Sequence, residues 1–134
     1  MSIRLELFIM KILVVDDSLL DRKLLIRTLV KAEIQQEILQ AEDGEQALEV
    51  LANNYQDIGL MLLDWQMPKM TGIELMAGMM KIPAVASIPI IMVTASGSED
   101  NRKLAAEINP RLAGYIVKPY KPEELLQTIK PFLK

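Results

Sequence analysis

Lys11-Ile12-Leu13-Val14-Val15-Asp16-Asp17-Ser18 sets an apolar run against two carboxylates and a hydroxyl. The run has the length of a strand. Its lack of polar alternation suits a strand buried on both faces, as in a parallel sheet. The same pattern recurs three times. Asp64 closes Ile58-Gly59-Leu60-Met61-Leu62-Leu63, Thr94 closes Pro89-Ile90-Ile91-Met92-Val93, and Lys118 closes Tyr115-Ile116-Val117. Strands are expected over 11–15, 58–63, 88–93 and 113–117, with a less hydrophobic edge strand over 37–41.

Helical stretches separate these runs. Ser18 caps the first, with Asp21 three residues on in a variant of the Ser-x-x-acid signature. Leu24, Leu25, Thr28 and Leu29 then form a stripe that Ala32 extends. A second helix is expected over 44–53, with Ala47, Leu48 and Leu51 on one face, and a Met-rich third over 72–80. Ser98 caps a fourth, which Asn109-Pro110 stops. Pro122 opens a fifth that buries Leu125, Leu126, Ile129 and Leu133. The alternation is (βα)5, an α/β doubly wound parallel sheet with helices on both faces and right-handed crossovers. Ligands of such sheets bind at the carboxyl ends of the strands. Asp16, Asp17, Asp64, Thr94 and Lys118 would all emerge there, and three carboxylates, a hydroxyl and an ammonium suit Mg²⁺ and a phosphoryl group.

Composition narrows the field further. A chain of 134 residues with 51% hydrophobic content is enough for one domain around a substantial core. Its 15 basic and 18 acidic residues give a net charge of −3, which offers no electrostatic case for nucleic-acid binding. Cysteine and histidine are absent. Disulfides, thiolate metal sites and histidine catalysis are therefore excluded, and a cytoplasmic location is compatible. No apolar run reaches the roughly 18–20 residues of a membrane span. Residues 1–9, with Ile3, Leu5, Leu7 and Ile9 alternating, are expected to be a peripheral extension outside the chemistry of a domain over 10–134.

Five segments together resemble the response-regulator receiver domain. They are Val14-Val15-Asp16-Asp17-Ser18, Ala41-Glu42-Asp43-Gly44-Glu45-Gln46-Ala47-Leu48, Leu63-Asp64-Trp65-Gln66-Met67-Pro68-Lys69-Met70-Thr71-Gly72, Ile88-Pro89-Ile90-Ile91-Met92-Val93-Thr94-Ala95 and Tyr115-Ile116-Val117-Lys118-Pro119-Tyr120. An Asp pair, a strand-end Thr or a Lys-Pro each has an ordinary reading as a cap or turn; the five in order do not. The resemblance implies the flavodoxin-like strand order 2-1-3-4-5 and a stand-alone bacterial regulator of the chemotaxis or phosphorelay type. It implies that Asp64 takes a phosphoryl group from a partner histidine kinase or histidine phosphotransfer protein. Asp17 and Asp64 would ligate Mg²⁺ directly, Asp16 through water, and Gln66 through its backbone carbonyl. Lys118 and Thr94 would hold phosphoryl oxygens, beside a small Ala95 and a cis Lys118–Pro119 bond.

Thr94 and Tyr115 are the expected switch pair, with Tyr115 turning inward on activation. The fourth helix, last strand and fifth helix would then present a changed surface to a downstream protein, or to a second copy in a phosphorylation-dependent dimer. Asn109-Pro110-Arg111-Leu112-Ala113-Gly114 departs from the short turn usual in such domains, so partners of that face do not carry over. Leu19, Ile26 and Val30, off the main stripe of the first helix, are candidates for docking a histidine-bearing helical bundle. Gln66 and Ser96 are candidate modulators of hydrolytic water.

A Mg²⁺-dependent phosphohydrolase with an aspartyl nucleophile is the competing class. It calls for an Asp-x-Asp motif and a further acidic pair after the lysine. Here the first acids are adjacent, and Lys118 leads into Pro119-Tyr120. A flavin or dinucleotide module lacks its Gly-rich first turn.

Overall fold

A computed structural model describes residues 10–133; the expected 1–9 extension lies outside them. The elements are β1 (Lys11–Val15), α1 (Leu19–Lys31), β2 (Ile38–Ala41), α2 (Gly44–Asn54), β3 (Ile58–Leu63), α3 (Gly72–Met80), a short α4 (Pro83–Ala86), β4 (Ile90–Thr94), α5 (Glu99–Ile108), β5 (Gly114–Val117) and α6 (Pro122–Ile129), closed by a 3-10 turn at Lys130–Phe132. The five strands form one parallel sheet in the order β2-β1-β3-β4-β5. The weakly apolar β2 lies at an edge, as expected. No helix among the described residues is long and apolar enough to cross a membrane.

Alternation along each strand builds two cores. Ile12, Val14, Leu60, Leu62, Ile91 and Val93 face Leu25 and Leu29 of α1 and Leu125 and Ile129 of α6. Leu13, Val15, Met61, Leu63, Ile90 and Met92 face α2, α3 and α5 through Leu51, Leu75, Met76, Met79 and Ala105. Strands buried on both sides explain why their sequences read as continuous apolar runs.

Several local expectations change. The helix Pro83–Ala86 is new, and β4 starts two residues later than expected and takes in Thr94 itself. Leu24 and Leu48 are exposed rather than buried, and Leu126 is half-buried. The covered side of α1 instead runs through Arg22, Leu25 and Leu29, one helical face at i, i+3 and i+7.

Helix ends follow sequence chemistry more closely. Ser18, Asp43, Thr71 and Ser98 each accept a hydrogen bond from the backbone N–H three residues on. Only Thr71 belongs to a complete capping box, with the Glu74 carboxylate accepting from the Thr71 N–H at 3.0 Å. After α1, Glu33 takes φ 60° while its N–H donates to Val30 and that of Ile34 to Leu29. That is a Schellman closure with glutamate where glycine is favoured.

Candidate functional site

Register aligns the anchors. Val15 pairs with Leu63, so Asp16 and Asp64 are adjacent just past the ends of β1 and β3. Thr94 pairs with Val117, which carries Lys118 one residue beyond β5. Asp16, Asp17 and Asp64 can each offer a carboxylate oxygen within 4.8 Å of the others. Asp16 and Asp64 are buried, and Asp17 is exposed. The Lys118 ammonium reaches into this cluster, 2.5 Å from Asp16 Oδ2, 2.8 Å from Asp21 Oδ2 and 3.3 Å from Asp64 Oδ2. The Lys118–Pro119 peptide is cis.

Backbone groups fix the carboxylates. The Ser18 N–H donates to Asp16 Oδ1 at 2.9 Å, and the Trp65 N–H donates to Asp64 Oδ1 at 2.7 Å. Burial and the nearby Asp64 charge raise the Asp16 carboxyl above the usual range, against the pull of Lys118 and the Ser18 N–H. Burial disfavours the Lys118 ammonium, but its carboxylate neighbours outweigh burial and hold it above the ordinary lysine range. Lys118 therefore stays charged at neutral pH.

Thr94 is fully buried, on the α5 side of the sheet with Met92, and its Oγ1 accepts from the Ser96 N–H at 3.2 Å. Tyr115 pairs in register with Met92 and packs on that same side. Its hydroxyl donates to the Ser96 carbonyl, and the Arg102 guanidinium lies 5.0 Å over its ring. Burial raises its hydroxyl pKa. Gln66 lies in the loop after β3 with its side chain exposed. Among the described residues no N–H donates to its backbone carbonyl. Leu19 and Val30 are exposed on α1, and Ile26 is half-buried. A groove of about 820 Å³ runs from Asp16, Asp21 and Lys118 along α1 and α6, past Leu24, Thr28 and Leu126.

Two participants were not legible in the motifs. The Ser-x-x-acid spacing places Asp21 in the helix cap. Ser18 does accept from the Asp21 N–H, yet the Asp21 carboxylate turns to Lys118 instead of returning to the cap. Asp21 lies in the first turn of α1 just past the Asp16-Asp17 pair, and that closeness in sequence is the one signal for a third acid near the site. Arg22 is buried, donating to the Asp16 carbonyl at 2.5 Å and to Gln40 Oε1 at 3.1 Å. Its i, i+3, i+7 spacing with Leu25 and Leu29 is the signal that separates it from the exposed Lys23 beside it.

The donor set suits a hard divalent cation. All three candidate ligand side chains are carboxylates, and a lysine ammonium already sits among them, so the pocket is built for positive charge.

A five-stranded sheet in this order, with an acidic pocket and a lysine at its carboxyl edge, defines a receiver-type signalling domain. The family profile described as response regulator receiver domain matches residues 12–130, and the chain belongs to that family, a component of two-component signalling. It is 34% identical over 124 residues to a chemotaxis protein CheY homolog of Campylobacter jejuni, covering 92% of each chain. Its fold matches the chemotaxis protein CheY4 of Vibrio cholerae with a TM-score of 0.81 at 30% identity, over 93% of this chain and 99% of that one. The Mn²⁺-bound form of response regulator Rcp1 matches with a TM-score of 0.78 at 28% identity, over 93% and 95% of the two chains.

Proposed function

We propose that Asp64 is the phospho-acceptor of a Mg²⁺-dependent switch that takes its phosphoryl group from a partner histidine kinase or histidine phosphotransfer protein. The observation that carries this is the convergence on Lys118 Nζ of carboxylates from the ends of β1 and β3, with Asp64 Oδ2 at 3.3 Å. A carboxylate approaching a phosphoryl group meets charge repulsion, which Lys118 offsets on one side and a cation held by the acidic cluster would offset on the other.

An Asp64 carboxylate oxygen forms a bond to phosphorus as the phosphorus–nitrogen bond to the donor imidazole breaks. The electron pair leaves with the imidazole, which takes a proton from solvent. Asp64 is left as an acyl phosphate. Asp17 and Asp64 would hold Mg²⁺ directly, with Asp16 through water and the Gln66 carbonyl as a further ligand. Bound there, the ion neutralises charge on the phosphoryl oxygens. Lys118 holds one of those oxygens and Thr94 Oγ1 another. Residues 10–134 are the receiver domain, with 1–9 outside the chemistry, and the bacterial relatives support action in a bacterial cytoplasm.

Phosphorylation adds about 1.5 to 2 negative charges and strong acceptor oxygens. Thr94 turning toward them leaves room on the α5 side of the sheet, which Tyr115 shares. The Tyr115 ring is then less exposed with Mg²⁺ and beryllofluoride than with Mg²⁺ alone. Solvent-paramagnetic NMR of the ring tests this, and equal exposure in both states counts against the switch. The surface of α5, β5 and α6 carries the change to a downstream protein.

The test of the whole proposal is incubation with a small acyl-phosphate donor, read by intact mass. One retained phosphoryl group per chain is expected with Mg²⁺, and about none with EDTA. Turnover of many donor molecules per chain would instead mark an aspartyl phosphohydrolase.

A further inference from the structure

An ammonium has three N–H donors and no acceptor. In Lys118 a carboxylate stands opposite each: Asp16 at 2.5 Å, Asp21 at 2.8 Å and Asp64 at 3.3 Å. The shortest contact is to Asp16 past the end of β1, the second draws the ammonium toward Asp21 on α1, and the longest is to the proposed phospho-acceptor. Asp16 and Asp64 belong to the candidate metal cluster, whereas Asp21 does not. A divalent ion therefore draws on two of Lys118's three partners and leaves the third in place. With that ion, four carboxylates face one ammonium and two metal charges, so one carboxylate remains uncompensated. The Asp21 side chain is 38% exposed, against 15% for Lys118, so solvent can take it up when the ammonium leaves.

Helix geometry places Asp21 there. Ser18 caps α1, its Oγ accepts from the Asp21 N–H at 3.1 Å, and this first turn stands beside the loop after β5. Asp21 needs no role in the cap beyond that N–H, which any non-proline residue could supply.

We infer that Asp21 is a positioning residue that competes with the phosphoryl group for the N–H donors of Lys118 and thereby opposes formation of the phosphorylated state. The inference rests on the phospho-acceptor assignment of Asp64. In the ground state Asp21 occupies one of the three Lys118 donors. A phosphoryl oxygen on Asp64 must win the ammonium from it, and an amide at residue 21 weakens that competition while preserving shape.

The experiment measures beryllofluoride affinity at saturating Mg²⁺ and, separately, Mg²⁺ affinity alone. Both are read from the fluorescence of Trp65, the only tryptophan, adjacent to Asp64. Asp21→Asn is expected to tighten beryllofluoride binding roughly fivefold or more, with Mg²⁺ affinity unchanged or weaker because a negative charge is lost. Asp21→Glu, which keeps the carboxylate charge, should stay within about twofold of the parent protein. General structural damage would weaken both affinities and overturn the inference. So would unchanged beryllofluoride binding in Asp21→Asn, equal tightening in Asp21→Glu, or a parallel gain in Mg²⁺ affinity. Failure of the parent protein itself to bind beryllofluoride with Mg²⁺ would instead remove the phospho-acceptor assignment of Asp64.

Discussion

Asp64→Asn is expected to lose phosphoryl uptake from a small acyl-phosphate donor, falling to the level of a protein-free blank. The amide oxygen carries no charge and is a poor nucleophile. It still accepts the Trp65 N–H that now reaches Oδ1 at 2.7 Å, so the loop keeps its shape. Neighbouring acids are not expected to stand in, since Asp16 is held most tightly by Lys118, at 2.5 Å against 3.3 Å for Asp64, and Asp17 is exposed. Loss of one carboxylate also relieves repulsion between Asp16 and Asp64. The lost attraction to Lys118 offsets that relief, so the variant is expected to unfold near the parent temperature, which separates lost chemistry from lost structure. A phosphoryl adduct of parent stoichiometry in Asp64→Asn would falsify the assignment.

Gly72→Ala is expected to cost about 2–3 kcal/mol of stability, a fall in Tm of roughly 10 °C at this chain length. A Cβ at Gly72 would lie 1.9 Å from the Asp64 carbonyl oxygen and 2.9 Å from its carbon. That neighbour is backbone and cannot rotate away. The Gly72 N–H donates to the Trp65 carbonyl at 2.9 Å, and Thr71 caps α3 beside it, so the helix start is tied on two sides. Relief requires α3 or the end of β3 to move, and the end of β3 carries Asp64. Acyl-phosphate labelling should therefore fall together with stability. Gly78, exposed in the last turn of the same helix with nothing within 4 Å, is the control. Gly78→Ala should gain about 0.5–1 kcal/mol from helix propensity alone. Equal melting of Gly72→Ala and the parent protein in calorimetry would sink the packing account.

Much of the fold could be read along the chain because its signals are local. Apolar runs closed by Asp, Thr or Lys located four strands, and Ser18, Ser98 and Pro122 marked helix starts that the structure keeps. The anchors were legible for the same reason, since parallel strands deliver whatever ends them to one edge. Leu24 and Leu48 were misplaced because a helix with apolar residues on more than one face does not announce which face the sheet will cover. The helix at Pro83–Ala86 went unread because four residues cannot display a period.

By itself the sequence determined the (βα)5 alternation, the residues at the strand ends and the chemistry those residues can share. These follow from hydrophobic period and side-chain type, which are properties of neighbouring positions. Tertiary structure alone decided which groups surround Lys118. Its contacts to Asp16 and Asp21 span 102 and 97 residues, and they exist only because α1 and β5 meet across the sheet. Asp21 as a partner of the ammonium depends on that meeting, and the Arg22 bonds to the Asp16 carbonyl and Gln40 depend on α1 lying beside β1 and β2.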